Sequence, residues 1–166
     1  YKLSTLLSIR KKIILKALNT FKGLPHRNEI FFKKKEIIFI NDSKATSFEA
    51  TRHALKNNKN IFWIVGGLPK LGDAFNLKSI SKNIIKSYII GKNIDYFKKQ
   101  ICRAVDYKSC STIEKALQDI IKDLFLFKQK QATVILSPAS ASYDQFNNFV
   151  ERGNSFKKLT IKYARK

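Results

Sequence analysis

The sequence predicts an α/β domain: a Rossmann-like, mostly parallel sheet with helices on both faces. Three observations predict it. First, the apolar runs Glu36-Ile37-Ile38-Phe39-Ile40, Ile61-Phe62-Trp63-Ile64-Val65 and Thr133-Val134-Ile135-Leu136 are short and rich in β-branched and aromatic residues, as buried strands are. Second, helical and strand patterns alternate from residue 36 onward, which is the plan of βαβ crossovers. Third, each run gives way at once to a polar stretch: Asn41-Asp42-Ser43-Lys44-Ala45-Thr46, Gly66-Gly67-Leu68-Pro69-Lys70 and Ser137-Pro138-Ala139-Ser140-Ala141-Ser142. In open α/β sheets ligands sit just beyond the carboxyl ends of the strands, so these stretches mark a polar, anion-binding rim.

The elements follow in order. Leu3, Leu6, Leu7, Ile13, Ile14, Leu15, Leu18 and Phe21 fall mostly at helical spacing, giving one or two helices that Gly23 and Pro25 stop. Residues 29–32 and 36–40 form a hairpin that turns at Lys33-Lys34-Lys35. A helix over 46–56, with Thr46 or Ser47 as its N-cap, leads to the strand at 61–65. Next come a helix over 77–85, a strand over 87–90 ending at Gly91, a helix over 94–101 and a short strand over 104–107. Residues 112–127 form a strong amphipathic helix, with Ser111 as N-cap and Glu114 completing a capping box. After the strand at 133–136, helices cover 141–149 and 153–163.

Bulk properties bound the answer. A chain of 166 residues buries one good core. It has no apolar stretch near the roughly 20 residues of a membrane span, and Lys2, Arg10, Lys11 and Lys12 break any signal-peptide pattern. The chain lacks Met and opens inside a helical pattern. It therefore reads as a piece of a longer protein, with 1–23 the tail of a preceding domain and 24–166 the domain proper. Cys102 and Cys110 are too few for a disulfide framework and form no Cys-x-x-Cys, so they read as reduced thiols of a cytoplasmic protein. His26 and His53 lack metal-ligand spacing, and no metal site is expected.

The net charge of +21 has two readings. Lysine outweighs arginine, Asn, Ile, Phe and Tyr are abundant, and the lysines are spread along the whole chain, which is the bias of AT-rich codons. The alternative is a basic nucleic-acid-binding α/β module, whose affinity would fall steeply with salt.

The rim residues also have alternatives. Asp42 suits a ribose hydroxyl or a metal-bound water and Lys44 suits phosphate, or both serve the start of the next helix. Gly66-Gly67 lets the chain turn sharply, so that Lys70 reaches a carboxylate or phosphate, or this is an ordinary βα turn. Ser140 and Ser142 precede or open a helix, where hydroxyls and free N–H groups bind anions or simply cap. Arg27, beside His26, could pair bidentately with phosphate or be a surface arginine. No Walker A loop, Gly-x-Gly-x-x-Gly or Gly-x-Ser-x-Gly occurs. Nothing supports a catalytic triad, paired-carboxylate hydrolysis or a metal cage.

Four motifs together carry a resemblance. Gly23-Leu24-Pro25-His26-Arg27, Ile40-Asn41-Asp42-Ser43-Lys44-Ala45-Thr46, Leu136-Ser137-Pro138-Ala139-Ser140-Ala141-Ser142 and Asp144-Gln145-Phe146-Asn147-Asn148-Phe149-Val150-Glu151-Arg152-Gly153 resemble the motif series of the Mur ligases of peptidoglycan synthesis, in the branch that adds D-glutamate. Their order and spacing over 23–153 make the match specific.

The resemblance implies a three-domain, ATP-dependent amide ligase. This chain would be its C-terminal domain plus the last helical stretch of the central ATPase domain. ATP would phosphorylate the carboxylate of UDP-N-acetylmuramoyl-L-alanine, and the amine of D-glutamate would attack the acyl phosphate. The P-loop and most Mg2+ ligands would lie in the central domain, so the fragment is expected to be inactive alone. Carried over residue by residue, His26 and Arg27 would meet ATP, Arg27 at its phosphates. Asp42 would meet the nucleotide ribose, and Lys44 would be the catalytic lysine at the reaction centre. Thr46, Lys70, Ser142, Tyr143 and Phe149 would surround D-glutamate, Lys70 on a carboxylate, helped by Ser142 and a helix N-terminus. The chain departs from the family pattern at Ser47, at Tyr143, at Leu68-Pro69 before Lys70, and in its charge.

Overall fold

A computed structural model describes residues 2–127 and 131–164 and bears out the predicted class. Six strands, β1 (Glu29–Lys34), β2 (Ile37–Asn41), β3 (Ile61–Gly66), β4 (Ile84–Ile90), β5 (Tyr107–Ser111) and β6 (Ala132–Leu136), form one sheet in the order β1-β2-β6-β3-β4-β5. Only β1 is antiparallel to its neighbour. The helices are α1 (Lys2–Leu6), α2 (Lys11–Thr20), α3 (Phe48–Asn57), α4 (Ile94–Ile101), α5 (Ile113–Leu126) and α6 (Phe149–Ala164).

The period-two alternation of strand side chains divides the core into two layers. Ile40, Ile61, Trp63, Val65, Ile89 and Ile135 face α3 and α4 through Phe48, Leu55, Phe97 and Ile101. Phe39, Phe62, Ile64, Tyr88, Val134 and Leu136 face α5 and α6 through Leu117, Ile120 and Phe156. Because both faces are covered, β3 and β6 are buried throughout and almost wholly apolar, which is why they were legible as continuous runs. The register pairs Asn41 with Leu136, Ile64 with Leu136 and Gly66 with Ile90. The carboxyl ends of the four central strands therefore meet at one rim.

Four expectations are corrected. Residues 77–85 do not form a helix: Leu77 and Ile80 are buried in a turn, a short 3-10 turn covers Ser81–Asn83, and Ile84 already pairs with Ile61 in β4. The Asn83 side chain holds that turn by donating to the Leu55 carbonyl at 3.1 Å. The last parallel strand lies at Tyr107–Ser111, not 104–107. As an edge strand it needs few apolar residues, and Lys108 and Ser109 are exposed.

The N-cap of α5 is Thr112, which accepts from the Lys115 N–H at 3.2 Å. Ser111, in the left-handed region at φ 61°, ends β5 instead, and Glu114 accepts from Lys162 and Tyr163 across to α6. Finally, 141–149 and 153–163 are not two helices. Residues 141–148 form turns, and one helix, α6, starts at Phe149 and runs through Gly153. Its start is set by Asn148, which accepts from the Glu151 N–H at 2.9 Å, while the Glu151 carboxylate accepts from the Asn147 N–H at 2.9 Å. Gly153 is tolerated because the His26 imidazole packs against its Cα, where a Cβ would overlap the ring.

Candidate functional site at the carboxyl rim of the sheet

The rim is built from three loops tied to one another by backbone bonds. The loop after β2 is fixed to β6 by the Asp42 N–H, which donates to the Leu136 carbonyl at 2.8 Å. The loop after β6 is fixed to β3 by the Ser137 N–H on the Ile64 carbonyl at 3.2 Å. In return the Gly66 N–H donates to the Pro138 carbonyl at 3.0 Å. Leu68 and Ala141 then form an isolated antiparallel bridge, with N–H to carbonyl distances of 2.9 and 3.0 Å. Gly66 (φ 128°) and Gly67 (φ 139°) make this approach possible. A Cβ on Gly67 would lie 2.5 Å from Ser140 Oγ.

Asp42 is buried in the first loop. Ser137 Oγ donates to its Oδ2 at 2.7 Å and the Asn28 N–H to its Oδ1 at 3.0 Å. Thr51 Oγ1 stands 3.1 Å behind Ser137 Oγ. Burial pushes the Asp42 carboxyl above its ordinary range, and the bonds from Ser137 and Asn28 oppose that rise. Each carboxylate oxygen still has acceptor capacity for a ligand hydroxyl.

Two residues on, the Lys44 ammonium lies 3.9 Å over the Phe149 ring, a cation–π contact that joins the β2 loop to the start of α6. Ser43 strengthens the same junction by donating from Oγ to the Phe149 carbonyl at 2.8 Å.

His26 is buried beneath the rim, with φ 62°. Asn41 Nδ2 stands 2.9 Å from its Nδ1, which makes Nδ1 the acceptor and assigns the proton to Nε2. Glu29 Oε2 accepts from the His26 N–H at 3.0 Å and from Asn41 at 3.2 Å, and Lys157 pairs with Glu29 at 2.7 Å. Burial lowers the His26 pKa, and the nearby Lys157 charge adds to this against the pull of Glu29. The His26 carbonyl in turn accepts from the Lys44 N–H at 3.0 Å, so this network sets the height of the β2 loop.

Direct contacts thus gather His26, Lys44 and Phe149, with Asp42 on the same β2 loop. Ser142 is buried, and its carbonyl accepts from the N–H groups of Gln145 and Phe146 in a turn. The helix start expected beside it is absent, because α6 begins at Phe149. Arg27, Thr46, Lys70 and Tyr143 are exposed on the rim loops and make no ion pair among the described residues. Among those residues no group of three or more His, Cys, Asp or Glu could hold a metal ion.

Two participants were not singled out from the sequence. Ser137 was seen only as part of a motif, although a serine directly after a buried strand, level with an aspartate after a neighbouring one, was the available signal. Arg152 is 1% exposed and hydrogen-bonds to Ser43 and Ser140. An arginine on the inner face of a helix was its signal.

No family model matches the chain. Curated relatives do. The chain is 43% identical over 148 residues to the UDP-N-acetylmuramoylalanine--D-glutamate ligase of Rhizobium meliloti (strain 1021), covering 89% of the chain and 32% of that protein. It is 39% identical over 151 residues to the protein of the same name from Wolbachia sp. subsp. Brugia malayi (strain TRS), covering 91% and 30%. It is 34% identical over 164 residues to that of Rickettsia felis (strain ATCC VR-1525 / URRWXCal2), covering 99% and 36%. The chain therefore spans about a third of the length of the curated relatives it matches. Among solved structures, the fold resembles the bifunctional folylpolyglutamate synthase/dihydrofolate synthase of Yersinia pestis CO92, with a TM-score of 0.59 at 15% identity over 90% of the chain and 34% of that structure. The motif series, the doubly covered parallel sheet and these relatives agree: over about nine tenths or more of its length the chain is similar to about a third of proteins named UDP-N-acetylmuramoylalanine--D-glutamate ligase.

Proposed function

We propose that this chain is the C-terminal, amino-acid-binding domain of a cytoplasmic ATP-dependent ligase that joins D-glutamate to UDP-N-acetylmuramoyl-L-alanine. The observation that carries the reading is the rim itself: a buried aspartate held by a serine, a lysine in contact with a phenylalanine, and a glycine loop bridged to a serine-rich loop, in a chain whose relatives bear that ligase's name. Residues 1–23 are the end of the central domain. In support, α1 and α2 bury only Ile14 and leave Leu3, Leu6, Leu15 and Leu18 exposed, as is Leu7 between them.

Roles follow from chemistry and position. Asp42 accepts from the nucleotide ribose, with its rotamer fixed by Ser137 and Asn28. Arg27, exposed on the preceding turn, meets the phosphates, and His26 holds that turn and the β2 loop in place. ATP supplies the phosphoryl group that activates the carboxylate of the UDP-linked substrate. Lys44 offsets negative charge at the reaction centre, leaving the Phe149 ring to do so. Thr46, Lys70, Ser142, Tyr143 and Phe149 hold D-glutamate, Lys70 against a carboxylate. The amine then attacks the activated carbonyl, and inorganic phosphate leaves as the amide forms. Closure of this rim over the other domains excludes water from the activated intermediate. Among the described residues no His, Cys, Asp and Glu cluster suits a magnesium ion; its ligands would lie in the central domain.

The test is product analysis. Full-length protein, ATP, Mg2+, UDP-N-acetylmuramoyl-L-alanine and a panel of amino acids are incubated and the products resolved by mass spectrometry. A product heavier by one glutamate residue, formed only with the D-isomer, is expected. A different amino acid in the product would overturn the specificity, and no adduct at all would overturn the function.

A further inference from the structure

Arg152 is a buried cation without a carboxylate. It stands in the first turn of α6, 1% exposed. Its Nε donates to Ser43 Oγ at 3.0 Å, and its Nη2 donates to the Ser43 carbonyl at 2.9 Å and to the Ser140 carbonyl at 2.9 Å. All of these acceptors are neutral. Among the described residues no carboxylate lies within ion-pair distance of the guanidinium, and Asp144 acts on it only from further away. Burial lowers its pKa to about 10, which leaves it charged at neutral pH.

Two polar atoms here are buried and unpartnered: Arg152 Nη1 and Ser140 Oγ. Both face Gly67, where an added Cβ would lie 3.3 Å from Nη1 and 2.5 Å from the hydroxyl. The guanidinium thus touches the loops after β2 and β6 by hydrogen bonds and abuts the loop after β3 by close approach. A buried, unpaired charge is costly, and a neutral or apolar residue would hold a merely structural position at lower cost. The planar fork is what a lysine cannot reproduce, since one guanidinium bonds two carbonyls and a hydroxyl in fixed geometry.

We propose that Arg152 is a positioning residue for the amino-acid subsite, clamping the three rim loops at the height at which Thr46, Lys70 and Ser142 converge on one ligand. The inference rests on the proposed function for the identity of that ligand. The clamp itself rests on the contacts above.

The test uses the full-length ligase with Arg152→Lys, which keeps the charge and loses the fork, and Ser43→Ala, a milder change that removes one acceptor of the guanidinium together with the hydroxyl's bond to the Phe149 carbonyl. Steady-state kinetics for all three substrates are paired with hydrogen–deuterium exchange. Arg152→Lys should raise the KM for D-glutamate tenfold or more while the KM for ATP and kcat move less than threefold, and Ser43→Ala should give the same pattern at smaller size. The amides of Leu68 and Ala141 should exchange at least tenfold faster in Arg152→Lys, with those of Ile64 and Val65 unchanged. Equal rises in every KM, or unaltered exchange at Leu68 and Ala141, would overturn the clamp. If Arg152→Lys does not fold, the Ser43→Ala results decide by the same criteria. If the unmutated enzyme forms no product with D-glutamate, the functional reading falls, and the clamp is judged by the exchange data alone.

Discussion

Replacing Ser137 by alanine isolates a bond that favours the ionised form of Asp42. The hydroxyl donates to Asp42 Oδ2 at 2.7 Å, and both residues are buried. A buried hydrogen bond to a charged group contributes about 1.5–3 kcal/mol, and here its loss leaves the carboxylate only the Asn28 N–H at 3.0 Å. The sign with pH follows from the direction of the Asp42 shift. Burial raises this carboxyl above its ordinary 3.8, so the fold loses stability as the pH climbs through the raised range and the charge must be buried. Ser137 limits that loss. Its removal should therefore cost the full amount at neutral pH, lowering Tm by about 4–10 °C, and should cost far less once the pH falls below the Asp42 titration. Thermal melts of wild type and variant across that range are the assay. In the full-length ligase the same variant should raise the KM for ATP several-fold with little effect on that for D-glutamate. A deficit that is the same at acidic and neutral pH would refute the claim that Ser137 serves the ionised form.

Other expectations follow from the same contacts. Trp63→Phe removes the indole N–H that donates to the Ser137 carbonyl at 2.8 Å and leaves space in a fully buried position; urea unfolding should show a loss of about 2–3 kcal/mol. Lys70→Ala should raise the KM for D-glutamate on the order of tenfold while the KM for ATP stays within a factor of about two, measured by initial rates. An equal effect on both substrates would remove Lys70 from the amino-acid subsite.

What the sequence revealed divides along physical lines. Buried parallel strands such as β3 and β6 are nearly continuous apolar runs, so their positions, and the loops at their ends, were legible. The edge strand β5 was misplaced because its Lys108 and Ser109 face solvent and carry no apolar signal. The spurious helix at 77–85 came from Leu77 and Ile80, whose spacing suits a helix but whose burial serves a single turn against α3 and α4. The start of α6 was readable in principle, since Asn148 and Glu151 stand at capping-box spacing. Tyr143, Phe146 and Phe149, three residues apart, pointed the other way. Of the site, the aspartate, lysine and serine-rich loops were found from their place after strands. Arg152 was not, because its partner Ser43 lies 109 positions away in sequence and only the fold brings them together.

Phosphate release from ATP by the full-length protein tests the central claim most directly, with UDP-N-acetylmuramoyl-L-alanine present and D-glutamate, L-glutamate or no amino acid added. Release that requires D-glutamate and fails with L-glutamate is the predicted result. Equal release with either isomer, or none under any condition, would contradict the assignment of this rim as a D-glutamate site.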